Sequence, residues 1–355
     1  MNDSITIRSK LYDYEIEFTE SFEKKLEEFT GNYVYVIDKK VYSLYKQAFS
    51  FLPEDRVYLM DAVESRKNMD TVLELIHKWS ALSVKKNWKV ICIGGGITQD
   101  VTTIAANLYL RNVEWYFFPT TLLSMCDSCI GGKCGINLGE IKNQIGVFYP
   151  PRRIFIDTRF LGTLTEGDYL NGWGEIIKFS LTKYKDFYEE LKSEEVYIPC
   201  QNIQKYIRRG LEVKKEVIEE DEFESDYRRV LNYGHTFGHA LEAYTHNEIP
   251  HGKGVLWGID VANYLAWKEG LIDRDYYLEI KATIKKCFLK SKIEIGDPEK
   301  VFGFIKRDKK VRDDILFFAL LDGESHLCVH PVKLDHRLEA LFMDYLRETD
   351  EYYSN

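Results

Sequence analysis

No apolar run in this 355-residue sequence approaches the roughly 18 residues of a membrane-spanning helix, and mean hydropathy is −0.32. Residues 1–17 mix Asp, Arg, Lys and Glu without an apolar core, so no secretory signal is expected. Positive charge is in deficit: 48 Lys and Arg stand against 57 Asp and Glu, a net charge of −9. That balance argues against nucleic-acid binding and for a soluble cytoplasmic protein. A small anionic substrate stays compatible with it, because a local basic pocket can exist on an acidic protein. Cysteines number seven, an odd count spread from Cys92 to Cys328, which is no disulfide framework. Cys126, Cys129 and Cys134 form a C-x2-C-x4-C cluster without a fourth cysteine nearby. Reduced thiols are the default there over a zinc or iron–sulfur site. Internal repeats and low-complexity segments are also missing.

What is present suits a folded chain of two domains, with 45% hydrophobic and 14% aromatic residues. Residues 33–38 form a short β-rich run ending in Asp38, and 69–82 show helical periodicity through Val72, Leu75, Ile76 and Trp79. Residues 90–93 read as a buried strand stopped by Gly94-Gly95-Gly96. A helix is expected over 100–109 and a strand over 115–118, ended by Pro119. Alternating strands and helices predict a parallel, Rossmann-like α/β domain over 1–150, with ligands at the carboxyl ends of its strands. Residues 151–355 read as mostly helical, with helices over 201–220 and 252–270 and late strands over 315–321 and 327–332.

Three constellations carry chemistry. Gly94-Gly95-Gly96-Ile97-Thr98-Gln99-Asp100 closes a strand and opens a helix, where backbone N–H groups and the helix N-terminus favour a pyrophosphate. It is not GxGxxG, and a tight strand-to-helix turn needs glycines too. Asp100 suits an N-cap or a ribose hydroxyl acceptor. The second, Asp127 to Lys133 with Lys142-Asn143, sets lysines, Asp and Asn around paired glycines as a polar ligand loop. The third is Asn232-Tyr233-Gly234-His235-Thr236-Phe237-Gly238-His239, followed by His251-Gly252. His235 and His239 share one face of a helix, and a third imidazole with a carboxylate such as Glu175 completes a metal site. Packed helix histidines and a surface Glu175–Lys178 pair are the bland readings of the same residues.

Together, Gly94-Gly95-Gly96…Asp100, Arg111, Pro119-Thr120-Thr121, Asp127…Lys133…Lys142-Asn143, Glu175-x-x-Lys178, Lys214, Asp221-Glu222, Arg228, Asn232…His235…His239, His251-Gly252 and Arg307-Asp308-Lys309-Lys310 resemble the 3-dehydroquinate synthase family in order and spacing. The resemblance runs from about residue 33 to 330. It implies NAD- and metal-dependent cyclisation of 3-deoxy-D-arabino-heptulosonate 7-phosphate to 3-dehydroquinate, with phosphate release, in the shikimate pathway. NAD would be used and regenerated, with zinc or cobalt as the divalent metal. Carried over by position, Glu175, His235 and His251 would bind the metal and His239 would relay a proton. Lys178, Asp127, Lys133 and Asn143 would act at the reacting centre. Lys142, Lys214, Arg228, Asn232 and Lys310 would bind substrate, Arg228 at its carboxylate. Arg111 would reach the phosphate from a second subunit of a homodimer. NAD contacts would come from Asp38, Glu64, Lys67, Gly95, Gly96, Asp100, Thr120, Thr121, Lys133, Lys142, Phe160 and Thr163.

The chain departs from the family pattern in four places. Gln99 replaces a small residue, Thr103 a glycine, and Glu140-Ile141 a Leu-Gly pair. Lys253-Gly254 follows His251-Gly252 where the family usually has Glu-Ala, a change of charge beside a proposed ligand. Three alternatives remain: an amino-dehydroquinate or cyclitol synthase of specialised metabolism, a metal-dependent alcohol dehydrogenase, and a non-catalytic binding protein.

Overall fold

The structure, a computed structural model, describes residues 4–194, 201–246, 248–286, 293, 295–306 and 314–353. The chain forms two compact units, Met1–Leu164 and Thr165–Asn355. Lys310 and its neighbours Arg307, Asp308 and Lys309 lie outside the described residues.

Unit 1 is built on nine strands: β1 (Ser4–Ile7), β2 (Tyr14–Phe18), β3 (Tyr33–Asp38), β4 (Val57–Met60), β5 (Lys89–Gly94), β6 (Trp115–Pro119), β7 (Lys133–Leu138), β8 (Ile141–Phe148) and β9 (Arg153–Ile156). Seven form one sheet in the order β1-β2-β9-β6-β5-β3-β4. Every neighbouring pair is parallel except β1–β2. Val90 to Gly94 of β5 are all buried, the unbroken pattern of a strand covered on both faces. The helices are α1 (Phe22–Glu27), α2 (Lys39–Leu44), α3 (Met69–Ala81) and α4 (Gly96–Leu108). The chain runs from β3 to β4 on one side, then returns to β5 on the other. The carboxyl ends of β3 and β5 therefore flank a topological switch point.

Two expectations are corrected in unit 1. The expected boundary at 150 falls too early, because β9 pairs with β2 and β6 in the first sheet and the unit runs on to Leu164. The helix expected from Asp100 starts at Gly96, so Asp100 lies inside α4 and is not its N-cap; Gly95 is. Strands β7 and β8, absent from the sequence reading, pair as a separate antiparallel hairpin.

Unit 2 holds α5 (Glu166–Thr182), α6 (Lys185–Leu191), α7 (Ile203–Glu220), α8 (His235–Tyr244), α9 (His251–Lys268), α10 (Arg274–Lys285), α11 (Pro298–Lys306) and α12 (His336–Tyr353), with strands β10 (Ile315–Leu321) and β11 (Leu327–Lys333) as an antiparallel hairpin. Helix α9 is the core: its residues from Gly254 to Ala266 are all buried, and α5, α8, α10 and α12 pack around it. Among the described residues, no helix is long and apolar enough to cross a membrane.

Candidate active site

Close backbone packing in unit 2 brings three sequence-distant side chains together. A Cβ on Gly252 would lie 2.2 Å from the Asn171 carbonyl, and one on Gly174 would lie 2.5 Å from the Gly252 carbonyl. Only glycine lets α5 and α9 meet this closely, at the level of Glu175 and His251. Gly234 has φ 75° and caps α8, and a Cβ on it would lie 2.5 Å from the Val255 carbonyl. That turn delivers His235 against α9. The Asn171 side chain accepts a hydrogen bond from Gly252 N at 2.7 Å, satisfying one orphan donor of the α9 N-terminus.

The result is a compact group of one carboxylate and two imidazoles. Glu175 is fully buried, and its Oε1 stands 3.6 Å from His235 Nε2 and 3.4 Å from His251 Nε2. That oxygen is buried and meets no partner within hydrogen-bond geometry. Oxygen and nitrogen ligands about 2.0–2.2 Å from a tetrahedral zinc are roughly 3.3–3.6 Å apart. The donor set and spacing thus fit a divalent transition metal. His235 Nδ1 contacts the Tyr233 carbonyl at 3.0 Å, and His251 Nδ1 contacts Glu242 Oε1 at 2.8 Å. Each imidazole is held by the nitrogen that does not face Glu175, the arrangement that metal-ligating histidines use. His239, one turn along α8, is exposed, with ring centroids 5.4 Å from His235 and 5.8 Å from His251.

Burial alone would push the Glu175 carboxyl up, but the ion-paired Lys178 ammonium and His251 hold it at about 2. Burial would lower His251, and its pairing with the Glu175 and Glu242 carboxylates pushes it up to about 10. Burial, then the charge of Lys178, keeps His235 well below the ordinary imidazole range. One neutral imidazole, one carboxylate and one imidazolium ready to give up a proton are the states a cation meets.

Three other proposed substrate residues of unit 2 are also internal. Lys178, Lys214 and Arg228 are all buried, on α5, α7 and the 3-10 segment Tyr227–Asn232. Asp221 organises that last segment, accepting from Ser225 N, Asp226 N and Arg228 N at 2.9, 2.7 and 3.1 Å. Burial opposes the charge, but those backbone donors hold the Asp221 carboxyl well below the usual range. Asn232 donates to Glu224 Oε1 at 3.0 Å.

In unit 1, Asp38 ends β3, and Gly95 and Gly96 follow β5 at the start of α4. Gly95 caps α4 without a side-chain partner, and a Cβ there would come 3.0 Å from Thr121 Cγ2. Thr120 N donates to the Gly94 carbonyl at 3.0 Å. The cradle of backbone at a helix N-terminus fits a dinucleotide pyrophosphate. Asp38 caps α2 through Lys40 N and Val41 N. Asp100 pairs with Lys67 at 2.7 Å, and Lys67 also donates to Asn143 Oδ1 at 2.8 Å. Glu64 accepts from Asn137 at 2.8 Å. Thr163 Oγ1 donates to the Phe160 carbonyl at 3.0 Å, while the Phe160 ring is buried against Phe22 and Tyr45, leaving only its backbone for a ligand. Asp127 lies in a π-turn, Ser124–Ser128. Lys133 and Lys142 are exposed on β7 and β8, and Arg111 is exposed after α4. Asn143 adopts φ 53°, a left-handed conformation that Asn tolerates.

Two departures now have a physical account. Gln99 donates to the Ser128 carbonyl at 2.7 Å and accepts from Ser128 Oγ at 2.6 Å, tying α4 to the turn that carries Asp127. Gly254 leaves room for Glu242: a Cβ there would press on Glu242 Oε1 at 3.2 Å. Glu242 and Asn171 are the site residues that sequence reasoning missed. Glu242 sits three positions after His239, a spacing that already put it on the same helical face.

A parallel-sheet unit followed by a helical unit that carries a Glu-His-His group is a fold shared with solved carbocycle-forming synthases and, more distantly, with a probable glycerol dehydrogenase from Sinorhizobium meliloti 1021. A 2-epi-5-epi-valiolone synthase from Streptomyces hygroscopicus subsp. jinggangensis 5008, solved with NAD+ and Zn2+, matches with TM-score 0.86 and 25% identity, over 97% of this chain and 99% of that one. A 2-deoxy-scyllo-inosose synthase, solved with carbaglucose-6-phosphate, NAD+ and Co2+, matches with TM-score 0.85 and 24% identity, over 97% and 99%. Within that architecture the chain belongs to the 3-dehydroquinate synthase family. Residues 57–171 match the family's N-terminal profile and 172–311 its C-terminal profile. The 3-dehydroquinate synthase of Thermoanaerobacter pseudethanolicus is 34% identical over 359 residues, covering 96% of this chain and 99% of that protein.

Proposed function

We propose that the chain is a 3-dehydroquinate synthase, converting 3-deoxy-D-arabino-heptulosonate 7-phosphate to 3-dehydroquinate and inorganic phosphate. The observation that carries the reading is the buried Glu175 Oε1 facing two oriented imidazoles, in a chain whose two halves both match the family. NAD would supply reversible oxidation at C4, and a zinc- or cobalt-class ion held by Glu175, His235 and His251 would supply Lewis acidity at the substrate hydroxyls.

The chain's own residues do the remainder. Backbone N–H groups at Gly95 and Gly96 receive the pyrophosphate, while Asp38, Glu64, Lys67, Asp100, Thr120, Thr121 and the backbone near Phe160 and Thr163 position NAD. Arg228 binds the substrate carboxylate by its planar fork. Lys178, Lys214, Asn232, Asp127, Lys133, Lys142 and Asn143 bind the substrate's polar groups. His239 exchanges the C4 hydroxyl proton, from a helical position one turn from His235. Arg111 acts from a second subunit of a homodimer, and the enzyme works in the cytoplasm. Lys253, beside His251 where the family has an acid, favours a second reading: a related cyclase acting on another sugar phosphate.

A phosphate-release assay separates them. With NAD and zinc or cobalt, rapid release from the heptulosonate and no net NADH are expected, and Glu175→Ala should abolish both turnover and metal retention. Turnover of another sugar phosphate with none of the heptulosonate would overturn the assignment.

A further inference from the structure

The β10–β11 hairpin of unit 2 carries a second set of metal-ligating side chains. Asp322 follows β10, and Cys328 and His330 are two apart on β11, so the latter two project from one face. A carboxylate oxygen of Asp322, Cys328 Sγ and a ring nitrogen of His330 all lie within 4.8 Å of one another. His330 Nε2 is buried and meets no hydrogen-bond partner. His326, in the connecting turn, stands beside them: Nδ1 is 3.6 Å and Nε2 4.0 Å from Cys328 Sγ. Its Nδ1 also contacts the Asp322 carbonyl at 3.2 Å. A tautomer donating there leaves the Nε2 lone pair for another partner.

We propose that this hairpin binds a zinc-class divalent ion through Asp322, Cys328 and His330, with His326 or water in the fourth position. The ligand set decides the class of ion. A thiolate with an imidazole and one carboxylate suits zinc and its neighbours, whereas calcium and magnesium take oxygen ligands. Sulfur and nitrogen on one tetrahedral zinc are about 3.5–3.6 Å apart, so His326 Nε2, 4.0 Å from Sγ, would have to close in by a few tenths of an ångström to ligate. Binding displaces the Cys328 thiol proton to solvent. The ion would join both strands at their turn end, a structural role. The 3-10 segment Tyr227–Asn232, which carries Arg228 and Asn232, packs on both strands, so the site braces the platform of those two side chains.

The test uses the thiolate as a signature. Glu175, His235 and His251 offer no sulfur, so cobalt there gives no sulfur-to-cobalt charge-transfer absorption. The full chain, stripped with chelator and reloaded with Co2+, should show that band and take up a second equivalent of metal. Cys328→Ser should lose the band and one equivalent while retaining phosphate release; His251→Ala should keep the band. Asp322→Asn, a milder change should Cys328→Ser fold poorly, should weaken Co2+ binding at this site alone. A native protein that binds one equivalent without the band would overturn the proposal. So would a band that survives Cys328→Ser.

Discussion

Glu242 reaches the proposed metal site through His251. Its Oε1 contacts Nδ1 at 2.8 Å, which sets the ring angle and directs Nε2 toward Glu175. Glu242→Gln keeps the size and removes the charge. Metal affinity should fall about 10–100-fold, with the fold intact. Competition against a chromophoric chelator measures this, and an unchanged affinity would leave Glu242 as a mere packing residue. His251 also makes the site pH-dependent. Its pKa in the metal-free protein is raised to about 10 from an ordinary 6.5. The stability it contributes is therefore full below about pH 6.5 and is lost as pH rises through about 10. At neutral pH the ring carries a proton that metal must displace. Metal binding should release about one proton, and affinity should rise about tenfold per pH unit near neutrality. Titration calorimetry in buffers of different ionisation enthalpy reads the proton directly; no proton release would show that His251 is neutral before binding.

At the scale of elements, the geometry rests on how closely α5 and α9 approach. The Cβ added by Gly252→Ala would meet the Asn171 carbonyl at 2.2 Å and its Cα at 2.6 Å, both backbone atoms that cannot swing aside. The helices must separate, which should cost about 1–3 kcal/mol and pull His251 away from Glu175. Urea unfolding and metal content check both effects together; an unmoved midpoint with full metal would mean the helices adjust freely. The same contact explains what the sequence could and could not reveal. Strand β3, helix α3 and the late strands β10 and β11 were legible because each has a local period or a sharp stop. His235 and His239 were legible as a one-turn pair. Asn171, however, reaches Gly252 across 81 positions, and no local pattern encodes that reach. Hairpin β7–β8 was missed because it is half polar and largely exposed, so its residues read as a loop. Helix α4 was placed four residues late because Gly95, a cap without a side chain, leaves no capping signal.

At the scale of the whole molecule, the two proposed cofactors belong to different units. The residues proposed for NAD lie before Leu164, and the proposed metal ligands lie after Thr165. A ligand that binds only the native state stabilises what it touches by mass action, about 2.7 kcal/mol at one hundred times its Kd. Protection should therefore be local where a unit opens by itself. Zinc added to stripped protein should slow amide exchange in α5, α8 and α9, while NAD should slow it around β3, β5 and the start of α4. Glu175→Ala should erase the first pattern and leave the second, because its carboxylate faces Lys178, His235 and His251, none of them a residue proposed for NAD. Hydrogen-exchange mass spectrometry resolves these segments. If zinc protected α4 as strongly as α9 in the absence of NAD, the units would open as one, and the metal would be stabilising the nucleotide fold as well as its own ligands.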